Sequence, residues 1–135
     1  MNGRTPFLML LCVSATSGAA AQGNTYGPWR QSNSCPGLDY RVRVETWVKR
    51  NARGEWFWYV QFRNRYREDI HFTYTLARDR DEARSKRGGR IQVDGRSISS
   101  ADGHRVAVRP GGRVWVHIFG KFRLGEDRGP YVRCP

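Results

Sequence analysis

Aromatic and basic side chains alternate along three stretches of this chain, and they are the groups with the most obvious chemistry. Trp47, Phe57, Tyr59, Trp115 and Phe119 fall on positions facing away from the apolar side of their segments. Interleaved with them are Arg41, Arg43, Lys49, Arg63, Arg65, Lys121 and Arg123. Flat rings stack on bases or sugars, and guanidinium groups grip phosphate or carboxylate through two parallel hydrogen bonds. The pattern predicts a basic-aromatic binding face built from Trp47, Tyr59, Trp115, Phe119, Arg41, Arg43, Arg63, Arg65 and Arg123. Its expected partner is an anionic ligand or polymer, or an acidic surface. The competing expectation is that rings and cations stack on each other across a wet sheet face and serve the fold.

Arg63, Arg65 and Arg67 stand at spacing two. On an extended backbone they would project from one face at roughly 7 Å intervals, close to the phosphate spacing of a nucleic-acid strand. Glu68 and Asp69 follow directly and would neutralise part of that charge. Arg87-Gly88-Gly89-Arg90 reads as a turn beside a strand.

Catalytic signals are sparse. Ser97, Ser99, Ser100, Asp102 and His104 bring triad residue types close together in sequence. Triads are assembled from separate elements around an oxyanion hole, and no G-x-S-x-G turn is present. His71, His104 and His117 lack the spacing of a metal site. Asp39, Glu45 and Glu55 offer carboxylates without singling out a pair for glycoside hydrolysis. The glycines sit in turns and not at a strand-to-helix junction, so no phosphate-cradling loop is expected and no cofactor is implied.

The elements that would carry these residues read as strands. Tyr40, Val42, Val44, Thr46 and Val48 alternate with Arg41, Arg43, Glu45, Trp47 and Lys49. Trp56, Trp58, Val60 and Phe62 repeat the period, as do Ile70, Phe72, Tyr74 and Leu76 against His71, Thr73 and Thr75. Shorter runs hold Ile91 and Val93, then Val106 and Val108, and a last run holds Val114, Val116, Ile118 and Phe122. Period-two alternation rich in β-branched and aromatic residues predicts half-buried strands. Turn chemistry separates them at Asn51–Gly54, Asp94-Gly95, Asp102-Gly103 and Pro110–Gly112. Residues 78–87 are nearly all charged and read as a solvated loop with room for one helical turn. Weaker strands are expected at Tyr26–Arg30 and Tyr131–Cys134. The prediction is an all-β antiparallel sandwich of about seven or eight strands, immunoglobulin-like in architecture, with a small closed barrel as the alternative.

Length and composition set the frame. The chain has 135 residues, which supports one domain. Its formal net charge is +12, with 39% hydrophobic and 13% aromatic residues, too apolar for a disordered polycation. Residues 1–21 have the order of a secretory signal peptide: Arg4, an apolar run from Phe7 to Val13, then small residues ending at Ala21. The run is too short to span a bilayer as a helix. Residues 22–135 are then the exported domain, periplasmic or secreted, with a net charge of +11 because the leader removes one arginine and no acid. Cys12 leaves with the leader, so Cys35 and Cys134 are expected to pair in an oxidising compartment. Function is expected to be binding without catalysis. The alternatives are a protein–protein or structural module using a sheet edge, and a hydrolase of an acidic polymer.

Overall fold

The computed structural model describes residues 25–47 and 51–135. The expected signal peptide, Val48 and Lys49 lie outside the described residues. Alternation becomes strand where it is longest: β2 covers Leu38–Glu45, β3 Trp56–Asn64 and β4 Ile70–Ala77. Around them lie β1 (Arg30–Gln31), α1 (Arg80–Ser85), β5 (Gly89–Val93), β6 (Asp102–Val106), β7 (Trp115–Ile118) and β8 (Arg123–Leu124). One antiparallel sheet runs β1-β2-β3-β6; the second runs β5-β4-β7, with β8 also paired to β4. The two sheets face each other as an open sandwich and do not close into a barrel. β2 and β3 are neighbours in one sheet, whereas an immunoglobulin domain puts its second and third strands in opposite sheets.

Register sets the faces. Tyr40 opposes Phe62, Val42 opposes Val60 and Val44 opposes Trp58, so their shared side turns to the second sheet. From the other layer Ile70, Phe72, Tyr74 and Leu76 meet them, and Phe62 makes edge-on contacts to Phe72 and Tyr74 at 4.9 and 4.8 Å. Val44, Val60, Phe62, Phe72, Tyr74 and Ile118 are buried, as the alternation predicts. Val42 and Val116 are only half-buried, because they line a gap between the sheets. Each fully buried large apolar side chain contributes about 1.5–3 kcal/mol.

The outer face of β4 departs from the sequence expectation. Thr75 and His71, on the side predicted to be open, are buried. The charged stretch forms a true helix whose N-cap Asp79 accepts the Glu82 backbone N–H, and Ala83 packs inward against β4. Thr75 donates its hydroxyl proton to the Ala83 carbonyl. At the other end, the turn between Gly125 and Gly129, both at positive φ, covers His71, which bonds the Gly125 carbonyl at 2.9 Å. The last apolar run also breaks in two. β7 and β8 pair with the same strand, in registers that differ by two residues, with Gly120 and Lys121 as the surplus.

Cys35 and Cys134 form a disulfide across a sequence separation of 99. Tyr66 reinforces that end: its hydroxyl accepts the Gly37 N–H at 2.9 Å and donates to the Pro135 carbonyl at 2.8 Å. Asn64, fully buried, ends β3 by donating to the carbonyls of Glu68, Val93 and Asp94. Among the described residues no helix is long and apolar enough to cross a membrane.

Candidate anion-binding cleft

The predicted site residues separate into three places. On the outer face of the first sheet, cations and rings form a ladder. Arg63 lies over Trp29 at 4.6 Å, Arg41 sits between Trp29 and Tyr26 at 4.2 and 4.5 Å, and Arg43 sits between Tyr26 and Tyr59 at 5.4 and 4.0 Å. Phe57 meets Tyr59 edge-on, and Arg105 follows over Phe57. The guanidinium edges are largely spoken for. Arg41 donates to Gln61 at 2.9 and 2.6 Å, Arg43 pairs with Glu45 at 3.3 Å, and both Arg63 and Arg65 turn onto Asp39 at 2.9 Å. Asp39 is buried beneath them. β3 ends at Asn64, so Arg67 does not continue a row of evenly spaced guanidinium groups.

Tyr26 and Trp29 are the residues sequence reasoning missed. They lie on the stretch expected as a weak strand, of which only Arg30 enters β1, the rest being irregular. Their signal was two rings three residues apart beside Gly27-Pro28, held by the bond from Gly27 N–H to the Val42 carbonyl at 2.9 Å. Trp47 joins neither ladder nor core and is 82% exposed beyond the end of β2.

Trp115 lies elsewhere, at the gap where β1 and its following loop face β7. Two adjoining hollows share Tyr40, Trp115 and Val116 as walls. The narrow one holds about 60 Å³ and is flanked by Arg30, Arg41 and Arg113. The wider one holds about 510 Å³, with Arg80, Arg84 and His117 on one side and Gln31, Asn33 and Ser34 on the other. No carboxylate lines either. Arg113 stacks on Trp115 at 5.1 Å, and Trp115 keeps 37% of its surface exposed.

Local structure explains the cation wall. Arg80 and Arg84 are four residues apart on α1, hence one turn apart on one side of the helix. Of the nearby acids, Glu82 pairs with Arg78 at 2.9 Å, and Asp79 is spent on the cap. Neither Arg80 nor Arg84 meets a carboxylate among the described residues. Burial, then the charges of Arg84 and Arg80, hold the His117 imidazole below its ordinary pKa.

The third place is the outer face of the second sheet. Phe119 meets His117 edge-on at 4.5 Å, and Lys121 and Arg123 lie over Tyr131 at 5.6 and 4.2 Å. Arg123 also donates to the Gly129 carbonyl at 3.0 Å, and Asp127 is held by Arg90. The triad residue types converge differently from a hydrolase. The Tyr74 hydroxyl donates to Asp102 and meets His104 at 2.6 Å, while Ser99 serves the backbone at Phe62 and Ser100. Burial and Asp102 push the Tyr74 phenol far above its usual pKa, so it stays protonated. The three histidines stand apart, under the 125–129 turn, on β6 and on β7. Among the described residues no three metal-ligating side chains gather.

Comparison with known proteins adds no relative: no family model matches the chain, nor does any curated protein or solved structure.

Proposed function

We propose that this chain is an exported, non-enzymatic binding domain that takes an anionic ligand in the cleft between β1 and β7. One observation carries the reading. Arg80 and Arg84, neither of them paired, line the wider hollow with His117 and Trp115 and without a single carboxylate, in a protein that elsewhere pairs many of its cations with acids or rings. Unpaired cations at a concave surface lose solvation and repel one another, and a bound anion relieves both. The disulfide and the signal-like leader support export, and release of a chain beginning at Gln22 would establish it.

The test separates cleft from ladder. A sulfated or carboxylated polymer should bind wild-type protein with log affinity falling linearly in log salt. Arg80→Gln with Arg84→Gln should weaken binding and reduce that slope by about one unit per arginine. Arg43→Gln, on the ladder, should leave the slope unchanged. Equal losses from both sets, or no binding at low salt, would overturn the proposal.

A further inference from the structure

The two walls of the wider hollow differ in chemistry, and that difference narrows the ligand. Arg80, Arg84 and His117 form a cationic side, whereas Gln31, Asn33 and Ser34 form a neutral one. The side-chain amides of Gln31 and Asn33 make no hydrogen bond among the described residues, so each offers two donors and an acceptor to the cleft. Between the walls stands one exposed ring, Trp115. From these residues we infer that the cleft takes an acidic oligosaccharide, an extended chain of sugars bearing carboxylate or sulfate groups; this rests on the anion-binding reading above.

Each part of the ligand has a counterpart. Guanidinium groups bind carboxylate or sulfate in bidentate fashion. Amides and a hydroxyl, able to donate and accept, match sugar hydroxyls, which do the same. The indole gives the apolar face of one sugar ring a flat apolar surface. A single-stranded nucleic acid asks for something else: successive rings for successive bases along a continuous basic track. The cleft supplies one exposed ring, Trp115, beside the half-buried Tyr40, and Tyr26, Trp29 and Tyr59 are occupied by the ladder's own arginines. The wider hollow, at about 510 Å³, has room for more than one sugar and suits a chain over a single sugar, whereas the narrow one beside Trp115, at about 60 Å³, admits no further ring.

The experiment uses the exported domain and three probes: a galacturonate hexamer, its neutral methyl ester, and an oligothymidylate of equal charge. The hexamer should bind at least about tenfold tighter than the ester and the oligothymidylate, and tighter than the monomer. Asn33→Ala should weaken the hexamer about three- to tenfold without altering its salt slope, since a neutral hydrogen bond is lost and no counterion is involved. Oligothymidylate binding as tightly as the hexamer, with Asn33→Ala silent, would overturn the inference and leave the anion-binding reading intact. No binding by any anion would overturn both.

Discussion

Arg43 and Arg84 carry the same charge and do different work, which their surroundings decide. Arg43 has a ring on each side and a carboxylate at its edge; Arg84 has open solvent and an imidazole below. Arg43→Ala should therefore lower the melting temperature, by losing stacking worth about 0.5–1 kcal/mol per ring, and leave affinity for polyanions unchanged. Trp115→Ala should do the reverse: binding weakens by roughly 1–3 kcal/mol if its ring stacks on ligand, and the loss persists at high salt. Calorimetry on folded variants separates the two. Both residues were visible in the sequence as a ring or a cation off the apolar face. Which would be satisfied internally was not, because the partners of Arg43 include Tyr26, on a stretch expected as a weak strand that is irregular before Arg30.

His117 ties the cleft to pH, through burial first and the charges of Arg84 and Arg80 after it. Its folded-state pKa lies below the unfolded value of about 6.5, so the unfolded chain binds more protons just below that pH. This contribution to stability is complete above about 6.5 and declines as pH falls through the window beneath it. An anion seated between Arg80 and Arg84 offsets their repulsion and raises the imidazole pKa. Affinity should then increase from pH 7 toward pH 5, and proton NMR of the His117 ring should show its titration moving upward when ligand is added. An unshifted titration on a saturated protein would place the anion elsewhere.

Among the elements, the three long strands were the most legible, since their alternation survives over eight or nine residues and sets both faces at once. The helix was less so. Arg80–Ser85 has one apolar residue, Ala83, and folds because Asp79 caps it and β4 receives it, a tertiary gain that composition does not display. The two-residue slip between β7 and β8 was hidden for the same reason: both halves keep the same apolar parity, so Ile118 and Phe122 still point inward. Gly37 shows how tightly the end near the disulfide is built. A Cβ there would come within 2.3 Å of the Tyr66 ring. Gly37→Ala must displace that ring from its bonds to Gly37 and Pro135, and should cost about 1–3 kcal/mol in thermal or denaturant unfolding. A silent Gly37→Ala would show that the Tyr66 clasp contributes nothing.

At the scale of the molecule, the sandwich was legible and the cleft was not. Strand count and turn spacing predict two layers; they do not tell where the layers part. The opening depends on β1 being only two residues long and on β7 being four, so the sheets meet along one side without covering it. Arg80 and Arg84 were plain as charges in a loop, and became a wall only once α1 docked on the second sheet. A net charge of +12 guarantees some attraction to polyanions, so specificity has to be sought where the charge is left unpaired.

The bond from Cys35 to Cys134 has one more consequence, because it turns most of the domain into a covalent ring. Strands β2 through β8 all lie between the two cysteines. A protease that cuts after arginine finds Arg53 in a turn and Arg80 and Arg84 on an exposed helix, while the ladder arginines are woven into paired strands. A single cut at any of these sites opens the ring without shedding a fragment. Limited trypsin treatment should yield a species that migrates as intact chain until reductant is added, and then as two pieces. Two pieces without reductant would mean the ring is not closed. A nicked molecule of this kind keeps β1 and β7 opposite each other, so a domain rich in tryptic sites can lose backbone continuity and retain its cleft.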